Sequence, residues 1–287
     1  MTLIATLVAP HGIAVGDISA ACDAVGGTAG PVVDGFAVDI ACSGDVGAVR
    51  AALEQLAAWD VFVQPATARG RKTLLIADMD STMITVECID ELADYAGIKP
   101  QIAAITERAM QGELDFRSAL AERVALLEGL SEEVIALCLA ERVRPMPGAR
   151  ELIRTMKAHG TRCVLVSGGF TRFAEPVGEL IGFDKAIANV LEIKDGNMTG
   201  KVIEPVVDSG TKLATLHAEC AALRITPSDV LAIGDGANDV PMIEAAGLGV
   251  AYHGHAAAVR AADAAVRHGN LTSLLWAQGI PMEQWSV

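Results

Sequence analysis

Residues 73–82 read Thr73-Leu-Leu-Ile-Ala-Asp78-Met-Asp80-Ser-Thr82. Leu74 to Ala77 is an unbroken apolar run, the pattern of a parallel strand covered on both faces. Two carboxylates and a hydroxyl follow at its carboxyl end. If extended geometry persists through Met79, Asp78 and Asp80 project from the same side. Carboxylates crowded in this way repel unless a cation or a shared proton relieves them. Because α/β sheets place their ligands at strand carboxyl ends, the stretch points to a metal-assisted site. An acidic turn closing a strand stays open as the plainer reading. A calcium loop fails on position: counted from Asp78, its glycine would be Met83 and its closing glutamate Ile89.

Working outward, 287 residues suggest about two domains, each with its own core. Only 4% of residues are aromatic although 52% are hydrophobic, so the core is built from Ala, Val, Leu and Ile. No apolar run reaches the ~18–20 residues of a membrane span, and no basic stretch leads an apolar one at the N-terminus. The six cysteines are scattered without a C-x-x-C, which reads as reduced thiols in a cytoplasmic protein. The formal charge of −14 argues against a nucleic-acid partner. It would also repel an anionic substrate, so local cations must overcome it.

Before the strand, residues 1–68 read as a separate small unit. Leu3–Val8, Val32–Cys42 and Trp59–Val63 have strand character. Asp17–Val25 and Asp45–Ala58 have helical stripes opened by aspartates in capping position. The order β-α-β-(β)-α-β is ferredoxin-like. Residues 66–72, small and basic, form the expected linker to a domain spanning 72–287. After the strand, residues 86–146 are wholly helical, an insertion over the strand ends. From Ala149 strands and helices alternate, which predicts a doubly wound parallel sheet. A hairpin turn is expected at Asp195-Gly196, and one amphipathic helix over 256–266.

Three strands of this sheet end in polar or glycine-rich turns: Asp78-Met-Asp80-Ser-Thr82, Ser167-Gly-Gly169 and Gly234-Asp-Gly-Ala-Asn-Asp239. A parallel sheet brings such ends to one edge, and Lys212 opens a helix between the second and third. Carboxylates, a hydroxyl, glycine amides and an ammonium suit a phosphate bound beside a hard cation. Magnesium fits better than zinc, which would want His or Cys. Gly234–Asp239 lacks the last glycine of a dinucleotide motif, and Gly196–Lys201 is too short for a Walker loop. His253-Gly-His255 resembles a metal clip without a third ligand and reads as a loop pair.

The ordered set resembles the haloacid dehalogenase superfamily. Val86-Glu-Cys-Ile-Asp-Glu91, Glu107–Met110, Gly112–Phe116, Arg123-Val124 and Ser167–Phe170 are similar to the branch that hydrolyses O-phospho-L-serine. The resemblance implies Asp78 as nucleophile and Asp80 as proton donor and acceptor. It implies magnesium on Asp78, Asp235 and the Asp80 carbonyl. Ser167, Gly168, Lys212 and Asn238 would bind phosphate, with Asp239 in support. In the cap, Glu87 would meet the substrate ammonium, Arg123 its carboxylate, and Met110 and Phe116 would exclude water. Without the resemblance, solvated helix charges stay equally open for the first two, and the last two read as core. Residues 1–68 resemble ACT-like regulatory modules, implying L-serine as a candidate effector and a homodimer as a candidate assembly. Another small phosphomonoester as substrate, or a serine sensor with a degenerate phosphatase domain, stays open.

Overall fold

The computed structural model describes residues 1–110 and 113–286, with Met110 by its backbone alone. Two sheets organise the chain. The first is antiparallel, from β1 (Thr2–Val8), β2 (Thr28–Val33), β3 (Ala37–Ser43) and β4 (Asp60–Pro65), in the order β2-β3-β1-β4. Helices α1 (Val15–Val25) and α2 (Val46–Glu54) complete the ferredoxin-like order read from sequence. The stretch 32–42 divides into two strands because Asp34 and Gly35 both take positive φ, as a tight hairpin requires. The Asp45 carboxylate caps α2 by accepting from Ala48 N at 2.9 Å. Asp17 does not cap α1: the helix begins two residues earlier, and Asp17 lies in its first turn.

The second sheet has seven strands: β5 (Leu74–Ala77), β6 (Arg162–Phe170), β7 (Lys185–Lys194), β8 (Asn197–Ile203), β9 (Val230–Gly234), β10 (Leu248–Tyr252) and β11 (Ala264–Val266). Their order is β11-β10-β9-β5-β6-β7-β8, parallel except at the β7–β8 hairpin. The strand that opened the reading is therefore central, flanked by the other two strands with polar ends. Leu74, Leu75, Ile76 and Ala77 are fully buried, as their apolar run requires. Asp195 and Gly196 turn the hairpin with positive φ at both positions.

Four helices, α3 (Cys88–Tyr95), α4 (Lys99–Met110), α5 (Phe116–Ala125) and α6 (Glu133–Glu141), stand between β5 and the rest of the sheet as the expected insertion. Then follow α7 (Ala149–Ala158), α8 (Thr171–Ile181), α9 (Ser209–Leu223), α10 (Val240–Ala245), α11 (Ala256–Ala261) and α12 (Ser273–Ala277). Pro176 lies inside α8.

The helix expected over 256–266 stops at Ala261. Asp263 accepts from Gly249 N at 2.8 Å, which holds the chain beside β10, and Ala264-Ala-Val266 becomes a buried edge strand. The presumed linker is also fixed at its end. Lys72 is buried, its ammonium donating to the carbonyls of Ala68 (3.1 Å) and Ser228 (3.0 Å). No helix among the described residues is long and apolar enough to cross a membrane.

Candidate active site

A cleft of about 750 Å³ opens where the insertion faces the carboxyl ends of β5, β6 and β9. Asp78, Asp80, Glu87, Phe116, Arg123, Ser167, Gly168, Asp235 and Asn238 line it, and Lys212 and Asp239 are buried against its floor. The structure thus brings together every site residue expected from sequence except Met110, whose side chain lies outside the described residues.

Asp78 extends β5 by one step, its N–H donating to the Ile233 carbonyl at 2.9 Å. One carboxylate oxygen accepts from Met79 N at 2.8 Å, and the other meets Lys212 Nζ at 2.7 Å. The same ammonium donates to Asp239 at 2.6 Å. Burial opposes the charge on Lys212, yet Asp239 and Asp78 together hold its pKa above the ordinary value. Lys212 is therefore a fixed cation inside an acidic protein.

The turn after β9 is built around Asp239. Its second oxygen accepts from the N–H groups of Asp235 (3.1 Å) and Gly236 (3.0 Å). Gly234 must be glycine, because a Cβ there would collide with the Asp239 carboxylate. The turn aims Asp235 at the segment that follows β5, where Thr82 Oγ1 donates to it at 3.0 Å. Burial first, then the charge of Asp78, pushes Asp235 up to about 7.

Oxygens of Asp78, Asp235 and Asp239 lie within 4.8 Å of one another, the set of acidic side chains among the described residues that could share a cation. Asp239 thus joins a cluster that it was expected only to support. The Asp80 side chain stands outside this set. Burial first, then the charge of Glu87, holds its carboxyl well above the usual range.

Opposite this floor, Glu87 precedes α3 and accepts from Ser81 Oγ at 2.5 Å. Arg123 projects from α5 close enough to Asp90 and Glu87 for their charges to favour its protonation, against the larger effect of burial. Ser167-Gly-Gly169, expected as a turn after the strand, lies within β6 where its register with β7 shifts, and Phe116 closes over it: a Cβ on Gly168 would sit 3.2 Å from its ring.

Sequence reasoning missed Asn189. It is fully buried, donates to the Gly168 carbonyl at 2.8 Å and accepts from Val207 N at 2.7 Å. The available signal was an amide inside the apolar run of β7. Asp90, in the first turn of α3, also lines the cleft. The two loop histidines separate: His253 Nε2 lies 3.1 Å from the Gly269 carbonyl, while His255 borders the cleft and donates its N–H to the Asp235 carbonyl.

The haloacid dehalogenase-like hydrolase family model matches residues 75–244, which holds the strand, the insertion and all three turns. The chain belongs to this family. Within it, the chain is 44% identical over 207 residues to a phosphoserine phosphatase of Albidiferax ferrireducens, covering 70% of this chain and 87% of that one. A crystal structure of a probable phosphoserine phosphatase from Vibrio cholerae matches 97% of this chain and 86% of its own, at 31% identity and a TM-score of 0.79. A substrate-bound phosphoserine phosphatase complex matches 72% of this chain and 98% of its own, at 35% identity and a TM-score of 0.67.

Proposed function

We propose that this haloacid dehalogenase-like hydrolase is a magnesium-dependent phosphoserine phosphatase, releasing L-serine and phosphate from O-phospho-L-serine at the end of serine biosynthesis. The observation that carries the reading is one cleft with two chemically distinct ends. At one, buried Lys212 meets Asp78; at the other, Glu87 and Arg123 offer opposite charges to an amino-acid head. The names of the relatives agree with this assignment.

The clustered side-chain donors on the floor are all carboxylate oxygens, which suits a hard ion such as magnesium. Asp78, Asp235 and the Asp80 carbonyl would hold it, because Asp239 is already engaged by Lys212 and two amides. Bound there, magnesium neutralises charge on the phosphoryl oxygens.

The protein groups divide the chemistry. Lys212, Ser167, the Gly168 amide and Asn238 hold the phosphoryl group against Asp78. An Asp78 oxygen attacks phosphorus as the bond to the seryl oxygen breaks, giving an aspartyl-phosphate. Asp80, kept protonated by burial and by Glu87, gives its proton to the departing oxygen. It then takes a proton from water, which attacks phosphorus and frees Asp78. Arg123 fits the substrate carboxylate because its planar fork can bind both oxygens.

Comparing O-phospho-L-serine with phosphoethanolamine, which lacks the carboxylate, tests the assignment. We expect kcat/KM to fall about 100-fold or more, as a site with a buried unpaired group rejects the truncated analogue. Equal turnover of the two would remove Arg123 from substrate recognition. Residues 1–68 we read as an ACT-like regulatory or oligomerisation unit, on strand order alone. Its candidate effector is L-serine, its candidate assembly a homodimer, and its setting the cytoplasm.

A further inference from the structure

Helix α5 carries both Phe116 and Arg123, and its two ends are fastened in different ways. The chain just past its carboxyl end sits on the β7–β8 hairpin through backbone contacts. Gly129 N donates to the Met198 carbonyl and Met198 N to the Leu130 carbonyl, both at 2.9 Å. Gly200 permits this approach, since a Cβ there would press within 3.1–3.3 Å of Glu128 and Ala125. The amino end has a side-chain tie to the core domain. Arg117 donates through Nη2 (3.1 Å) and Nε (3.3 Å) to Asp208 Oδ2, and its Nη1 lies 3.5 Å from Glu204. Asp208 is also the N-cap of α9, its other oxygen accepting from Thr211 N at 3.0 Å. The next residue is Lys212. One carboxylate therefore joins the helix that carries Arg123 to the helix that carries the phosphate-side ammonium.

We propose that Arg117 is a positioning residue, a latch that swings the amino end of α5 onto Asp208 and so sets Arg123 and Phe116 over the phosphoryl site. The inference rests on the phosphoserine reading for its substrate and on these contacts for its geometry. The pair is partly exposed, so its contribution to global stability is small. Its effect falls instead on the placement of the amino end of α5, because the pair favours the arrangement seen here over any in which α5 moves away from Asp208. Selection of the amino-acid head needs that arrangement. Transfer from a phosphate ester without the head needs only the floor of the cleft.

The test uses the full chain with magnesium and two variants, Arg117→Glu and Arg117→Lys. In Arg117→Glu, KM for O-phospho-L-serine should rise about tenfold with kcat changed less than about twofold, because closure contributes to holding the substrate. Arg117→Lys should recover part of the loss. Hydrolysis of p-nitrophenyl phosphate should stay at the wild-type kcat/KM. A fall shared equally by both substrates, or an unchanged KM for phosphoserine, would overturn the latch. Hydrogen exchange gives a reading that does not depend on substrate identity: in Arg117→Glu, amides 118–121 should lose protection while 125–130 keep theirs. Unchanged protection at 118–121 would overturn the latch even if wild-type protein proved inactive on phosphoserine. Wild-type inactivity on phosphoserine, with p-nitrophenyl phosphate still hydrolysed, would overturn the substrate reading alone.

Discussion

Asp235 shows how a single residue of this site responds to its surroundings. Burial and the neighbouring Asp78 raise its carboxyl to about 7, above the ordinary 3.8. Without metal, the folded protein keeps a proton between those two values that the unfolded chain has lost. Stability from this group therefore falls as pH rises through the window, the reverse of a salt-bridged aspartate. A bound cation removes the conflict by favouring the ionised form. We expect the wild-type melting temperature, taken relative to Asp235→Asn, to fall from pH 5 to pH 7.5 in chelator. Magnesium should restore it at pH 7.5 and do little at pH 5. A magnesium increment of equal size in Asp235→Asn would show that Asp235 does not hold the ion. The same cause acts on Asp80, whose carboxyl is held well above the usual range by burial first and then by the charge of Glu87, as the proton donation proposed for it requires.

At the scale of elements, legibility followed period and turn chemistry. Leu74–Ala77 was readable because an all-apolar run before two aspartates fits little else, and the Asp195-Gly196 hairpin because both residues tolerate positive φ. The edge strand β11 was not. Ala264-Ala-Val266 continues an alanine-rich helical pattern, and what replaces the helix is tertiary: the bond from Gly249 N to Asp263 and the pairing with β10. In the site, charged residues in glycine-rich turns stood out, whereas Asn189 did not, since its role exists only once three elements meet. Its amide spans β6, β7 and the approach to α9, tying the Gly168 carbonyl to Val207 N. Asn189→Ala leaves both groups buried and unpaired, which should cost about 2–4 kcal/mol. On the phosphate role proposed for Ser167 and Gly168, loosening this part of β6 should also weaken product inhibition, raising Ki for inorganic phosphate about tenfold while the magnesium dependence holds. Parallel losses in both would point instead to general unfolding of the site.

Across the whole molecule, the two sheets meet where β4 lies against β11. Their junction centres on Asp60, buried at the start of β4, which accepts from the N–H groups of Arg267 (2.8 Å), His268 (3.0 Å) and Gly269 (3.0 Å) and from Ser273 Oγ (3.1 Å). Three of the donors lie in the turn between β11 and α12 and the fourth, Ser273, opens α12, so one carboxylate from the first unit organises the carboxyl-terminal part of the second. Gly269 is held closely enough that a Cβ there would collide with Ser273 Oγ and meet the Asp60 carboxylate. None of these groups borders the catalytic cleft. Asp60→Ala removes the acceptor and leaves three amides facing an apolar methyl. The cost should be about 2–3 kcal/mol, the range for losing hydrogen bonds to a charged acceptor. In urea the variant should unfold at a lower midpoint, with amides 267–269 losing exchange protection before those of β5. Because the damage lies at the junction, kcat/KM of the folded fraction at 25 °C should remain within about twofold of wild type, as for sites without shared partners. A large loss of kcat/KM in protein still folded would mean that the first unit governs the cleft through this carboxylate. That outcome would turn the junction from an attachment into a control point.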